Sequence, residues 1–404
     1  MAPRRPVFES LRAASLGLAL VVGLPALAQD GALQNGPLSA IDWLGTGAGA
    51  PLPGAYPVTP PAGSIGGDGG IAVRALDALR PEAVGLYPAS RVGLPATLWG
   101  PTPARALADL FADLPADMLP ALRDLSLRLL LAEFNAPLPG PVPSPAPDFL
   151  LARIDKLVEF GALDQAAAVL DTLDSAEPVL RLRRFDIGLL LGDEHDSCAG
   201  VLREPPVADL AARVFCLSRS GDWDAADTLL ITATAEGGIE PYLAELLQHF
   251  IHDDEVLPDD LTLLPPPPGL QDPLTWRLRE ATGDAQPSLG MPVAYAHADL
   301  RGTQGWRSQI EAAERLVRAG ALSPNRLLGL YTERRAAASG GIWERVRMVQ
   351  RLDNALREAD AAEVGAALVE GWPLVQAGEL EVAFASLYAQ PLAQLPLTGA
   401  ARDL

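Results

Sequence analysis

The chain predicts a mainly α fold assembled from short helical hairpins stacked one on the next, and three observations carry that prediction. Hydrophobic residues make up 49% of the 404 residues but aromatic residues only 5%, so the core must be built from Leu, Ala and Val, which suit helix packing better than a β-sandwich. From Asp148 onward, apolar residues recur at helical spacing in short runs, each separated from the next by a few turn-forming residues. A Gly/Ala/Leu pattern then recurs at the turns, and self-similarity at a period of about 30 residues is the mark of a repeat architecture.

Residues 1–28 read as a secretory signal peptide. Arg4, Arg5 and Arg12 precede an apolar run from Ala13 to Leu27, and Ala26, Leu27 and Ala28 supply a small-x-small cleavage site before Gln29. The run is too short to span a bilayer, and nothing later offers about 18 consecutive apolar residues. Arg4 and Arg5 are shared with twin-arginine signals, but Pro6 and Val7 stand where that motif prefers a polar residue and then Phe, which favours the general export route. The expected mature chain is soluble and periplasmic, with no integral membrane span.

The signal carries three arginines and one glutamate, so its removal takes the formal net charge from −20 to −22. Such a charge argues against nucleic acid and anionic lipid surfaces, both of which are bound through cationic patches, and it predicts a monomer. Lys156 is the only lysine, so chemistry that needs a catalytic or phosphate-binding lysine has a single candidate, placed on an ordinary amphipathic helix.

Pro/Gly-rich linkers occupy 29–70 and 136–147, and an acidic, Pro-rich linker with four consecutive prolines occupies 253–273. Proline lacks a backbone N–H and restricts its predecessor, so these are not element interiors. The small mixed region 71–135 begins with Val73, Val84, Leu86, Val92 and Leu98 in Pro-broken runs, with room for two or three short strands. It turns helical after Pro103, with Leu107, Leu110 and Phe111 expected on one face.

Helical repeats fill 148–252. The first helix places Leu150, Ile154, Leu157 and Val158 on one face; the second, with Asp164 as its expected cap, turns Ala166, Ala167, Leu170 and Leu173 inward. Further helices are expected over Val179–Leu191, Cys198–Leu202 and Val207–Ser218, each tightly linked to its neighbour and so packed antiparallel. A second helical block covers 274–392, and 393–404 form a tail.

The repeated unit is Gly, an apolar residue at +2, Ala at +5 and Leu at +9. It appears as Gly161, Leu163, Ala166, Leu170; as Gly221, Trp223, Ala226, Leu230; and as Gly378, Leu380, Ala383, Leu387, with a degenerate copy at Gly192. Glycine permits the turn, the +2 residue plugs it, alanine allows close helix approach and leucine fills the space between repeats. The starts at 161, 192 and 221 are 31 and 29 residues apart, near the roughly 34-residue tetratricopeptide period. On these residues the chain resembles the tetratricopeptide-repeat and related α-solenoid families, well over 148–252 and more loosely over 305–392. Its first helices lack the family's Trp and Leu-Gly pairing, which implies a divergent solenoid. The chain is also similar to uncharacterised exported alphaproteobacterial proteins, some automatically labelled antifreeze glycopeptide polyprotein, through its Pro-rich start, Ser39 to Leu44 and Arg315 to Arg335. Antifreeze glycopeptides are runs of Ala-Ala-Thr, however, and the nearest match here is Thr232 to Thr234.

Candidate chemistry is sparse. Cys198 and Cys216 flank the turn at Pro205-Pro206, which sets them at one height on facing helices; in an oxidising compartment they are expected to form a disulfide contributing about 3 kcal/mol, the alternative being two packed thiols. His249 and His252 share a helix face ahead of Asp253, Asp254 and Glu255, which makes them candidate metal ligands, or simply residues suited to a helix C-terminus. Tyr331, Arg334, Arg335, Trp343 and Arg345 form a candidate patch for an acidic partner, set against the alternative of arginines neutralised by neighbouring carboxylates. No Gly-x-Ser-x-Gly, His-Glu-x-x-His, EF-hand or Walker sequence is present, and no cofactor is implied. The expected function is a non-enzymatic periplasmic scaffold or adaptor binding envelope proteins. The alternative is an auxiliary or divergent glycan-binding or lytic enzyme of the envelope.

Overall fold

The computed structural model describes residues 80–139, 146–173, 177–203, 206–252, 264–265, 267 and 269–404. The signal peptide and the 29–70 linker lie outside these residues, as does most of 253–273. The described chain is mainly α, with seventeen helices and one two-residue parallel strand pair, β1 (Tyr87–Pro88) with β2 (Ala132–Glu133).

Two helices precede the repeats, α1 (Ala104–Ala112) and α2 (Pro120–Leu131). α1 buries Leu107, Ala108 and Phe111, whereas Leu110 is 62% exposed. At 3.6 residues per turn the first three share one stripe and Leu110 lies about 100° from its centre, so the expected face is rotated by about 50°, half a residue step.

The next seven helices follow the expected pattern: α3 (Asp148–Glu159), α4 (Leu163–Asp171), α5 (Pro178–Leu191), α6 (Glu194–Leu202), α7 (Leu210–Arg219), α8 (Trp223–Ala235) and α9 (Pro241–Ile251). Each packs on its sequence neighbour. α4 begins before Asp164, which falls in its first turn; Asp209 is the residue that caps α7, accepting from Ala212 N at 2.8 Å. The three turns at Gly161, Gly192 and Gly221 are left-handed, with φ of 77°, 83° and 86°. Each closes with a six-to-one bond from the following residue, such as Ala162 N to Leu157 O at 2.8 Å. Behind them Ala166 and Ala226 are fully buried, so the +5 alanine does permit close approach. The +2 plug does not hold throughout. Leu163 is fully buried because Val293 and Leu316 cover the Gly161 turn, while nothing covers Gly221 and Trp223 stays 47% exposed. At the fourth copy the left-handed residue is Glu379 (φ 54°), and Gly378 is not.

The remaining helices are α10 (Pro273–Ala281), α11 (Ala296–Asp299), α12 (Trp306–Arg318), α13 (Pro324–Glu333), α14 (Ile342–Glu358), α15 (Ala361–Ala377), α16 (Glu381–Ala393) and α17 (Ala400–Asp403). The first two return to the repeats. α10 packs on α5 and α9, α11 packs on α5, and Trp276 and Tyr295 meet edge to face inside the core formed by α3 to α5. His297 Nε2 donates to Gly161 O at 2.7 Å, clasping the first turn. From α12 to α17 the chain builds its own core around Ile310, Leu316, Val346, Leu352 and Val364.

Two buried cations join 80–139 to the repeats. Arg153 donates to Leu130 O (2.9 and 2.6 Å) and Val84 O (2.7 Å), and burial pushes its guanidinium down to about 10 against the pull of Glu82. Lys156 Nζ, equally buried, donates to Ala112 O (3.0 Å) and Leu114 O (2.7 Å) at the end of α1, and to Glu159 (2.6 Å). The single lysine is thus a helix cap supplied from another helix.

Candidate functional site

The α6–α7 hairpin holds Cys198 and Cys216 with Cα atoms 5.0 Å apart and sulfurs 2.07 Å apart, a disulfide pair. His252 Nε2 meets Asp227 Oδ1 of α8 at 3.2 Å, and His249 lies in the last turn of α9. Among the described residues no group of three or more His, Cys, Asp or Glu side chains is placed to hold a metal; Asp253, Asp254 and Glu255 lie outside them.

The five patch residues do not share one surface. Tyr331 is buried and Arg345 half-buried, and both turn toward Glu314 on α12, a carboxylate that is only 3% exposed. Arg345 forks onto it, Nε to Oε1 at 2.9 Å and Nη2 to Oε2 at 2.6 Å, while the Tyr331 hydroxyl donates to Oε1 at 2.6 Å. Burial, followed by the charge of Glu314, holds the Tyr331 phenol well above its ordinary range. Trp343 leans on Trp306 with ring centroids 5.1 Å apart. Arg334 and Arg335 are exposed, and Arg334 is forked onto its neighbour Glu333 at 3.0 and 2.9 Å. Tyr331 and Arg345 thus serve a buried node joining α12, α13 and α14.

An opening runs along α12, and Glu314 is among the residues that line it. A cleft of about 550 Å³ runs between α12, α10 and the loop 285–289. The loop is fastened from both sides: Arg315 Nη1 donates to Ser288 O at 2.9 Å and its other nitrogen to Met291 O, while Asp299 accepts from Ser288 N (3.3 Å) and Oγ. At one end Glu280 accepts from Arg301 (2.5 Å), Gln304 (3.1 Å) and Arg277 (3.2 Å). Arg277 also engages Glu194, which Arg219 approaches at 3.0 Å, so an alternating ion ladder runs from α7 to the cleft rim. At the other end Arg318 donates to Gly378 O at 3.0 Å.

Among the described residues one carboxyl departs far from its usual range. Asp186 on α5 is pushed up to about 7 by burial, helped by Asp272 and Asp209 and opposed by Arg183, whose Nη1 stands 3.3 Å away. Asp209 and Asp272 are both helix caps, Asp272 accepting from Thr275 N at 2.9 Å and Oγ1 at 2.6 Å.

No helix among the described residues is long and apolar enough to cross a membrane. Comparison of the chain with family models, curated proteins and solved structures finds no match.

Proposed function

We propose that the chain is a divergent tetratricopeptide-like scaffold or adaptor, exported to the periplasm, that binds an envelope protein without catalysing a reaction. The observation that supports this most is the cleft beside α12, whose volume falls in the range of ligand sites and whose walls are two helices and a fastened loop. Export is supported by the basic and apolar start of the sequence together with a cysteine pair at disulfide distance. The test is affinity capture of the tagged protein from crosslinked envelope extracts, read by mass spectrometry. One or two stoichiometric partners are expected; recovery of no protein above background, with retention on purified peptidoglycan, would sink the reading.

A second reading is an auxiliary or divergent glycan-binding or lytic enzyme of the envelope; its one acid with a strongly raised carboxyl among the described residues, Asp186, stands against Arg183 and outside the lining of the α12 cleft. It requires release of soluble fragments from peptidoglycan that Asp186→Asn abolishes.

A further inference from the structure

The arginines around the cleft are not equivalent. Arg301 is paired with Glu280 and Arg307 with Glu311, and Arg345 of α14 takes Glu314, which also lines the cleft. Arg315 and Arg318 sit on one face of α12 with no carboxylate partner among the described residues; the partners they have are backbone carbonyls. Arg123 of α2 joins them, its Nη1 reaching Arg318 O at 3.4 Å and its Nε buried without a hydrogen-bond partner. Arg315 and Arg318 thus line the cleft without an ion pair among the described residues, with Arg123 beside the end of α12 and Asp299 the acid that acts on Arg315. Burial and then the charge of Arg318 hold Arg315 below its ordinary value, opposed by Asp299. An added anion would relieve that repulsion.

The rest of the cleft suits an extended chain. α12 runs about 16 Å from Arg307 to Arg318, the reach of about five extended residues. Gln286, Gln304 and Ser308 line it with amide and hydroxyl groups, and Leu289 stands 82% exposed at its lip. Trp276, the one aromatic residue among the described residues that line the cleft, is 6% exposed and offers no open ring face for a sugar to stack on.

Resting on the scaffold reading, we propose that this cleft binds an extended acidic segment of a protein partner, with a side-chain carboxylate on Arg315 and Arg318 and an apolar side chain under Leu289. The test is fluorescence anisotropy of the full chain with two pools of fluorescein-labelled hexapeptides, one with a pair of adjacent acidic residues and one with the corresponding amides. The acidic pool is expected to bind at least tenfold more tightly at 50 mM salt, and the margin to shrink at 300 mM. Arg318→Glu should erase the preference, and the charge-neutral Ser308→Trp should weaken both pools by filling the cleft, with circular dichroism unchanged in each. Equal binding of the two pools, an acid preference that survives Arg318→Glu, or displacement of the acidic pool by uncharged peptidoglycan fragments would overturn the assignment. Capture of the same envelope partner by both variants would overturn it while leaving the scaffold standing, whereas failure of the wild-type chain to capture any partner would fall on the scaffold itself.

Discussion

Removing the Glu314 carboxylate tests the buried node in the second block most sharply. Glu314→Ala leaves Arg345 and the Tyr331 hydroxyl without their shared acceptor, in a place where the carboxylate is 3% exposed. Breaking a buried pair from one side costs about 3–5 kcal/mol. The compact unit Arg74–Leu404 has an unfolding entropy of about 0.7 kcal/mol/K at about 2.1 cal/mol/K per residue, so a loss of 4 kcal/mol lowers Tm by about 6 °C. Tyr331→Phe removes one hydrogen bond to a charged group and should cost about 1.5–3 kcal/mol. Glu314→Leu with Arg345→Met replaces the pair by apolar groups of similar size and should recover most of the loss. Scanning calorimetry on the wild type, Glu314→Leu alone, Arg345→Met alone and the double variant completes a cycle, beside Glu314→Ala and Tyr331→Phe. A loss below about 1 kcal/mol for Glu314→Ala, or a double variant as unstable as the two single losses added together, would refute the node.

Other outcomes follow from the same structure. Replacing Cys198 and Cys216 with serine opens a loop with a sequence separation of 18 and should cost about 3 kcal/mol; reductant should lower the Tm of the wild type and leave the double variant unmoved. Lys156→Met strips Ala112 O and Leu114 O of their donor at a cost of about 1–3 kcal/mol, and amide exchange should quicken in α1 while α14 is unchanged. Asp186 binds its proton up to about pH 7 when folded but only to about 4 when unfolded, so its contribution to stability rises as pH falls through that window. Asp186→Asn should therefore raise the urea midpoint at pH 8, raise it about a third as much at pH 5 and leave it nearly unchanged at pH 4; an equal gain at all three would count against a raised carboxyl.

The α class and the hairpins of 148–252 were legible because their signals are local: apolar periodicity, glycine at the turns, alanine at close approaches. α3 and α5 start within one residue of the expected positions, whereas α6 begins four residues before Cys198, at Glu194, and α7 begins after Val207, at Leu210. The arginine patch was misleading because proximity in sequence says nothing about which face a helix buries. Tyr331 and Arg345 belong to Glu314, which falls on the apolar stripe with Ile310, Ala313 and Val317. The same signal marks Arg153, three residues from Leu150 and four from Leu157. A charged residue on the core stripe announces a buried partner, but the partner comes from elsewhere in the chain and spacing does not name it. The cleft was hidden for a like reason, since its walls come from α10, the 285–289 loop and α12, which only the tertiary fold assembles.

The clasp between His297 and Gly161 changes how this molecule can lengthen or shorten. In an open array each hairpin depends on its neighbours alone, so units can be duplicated, lost or frayed from an end at little expense to the remainder. Here the core of α3 to α5 is completed by Trp276 and Tyr295, more than eighty residues downstream of α5. The hairpins between them form a closed excursion whose two ends must meet. Such closure ties their unfolding together, slows folding through its long sequence separation, and makes the number of units a fixed property of the chain.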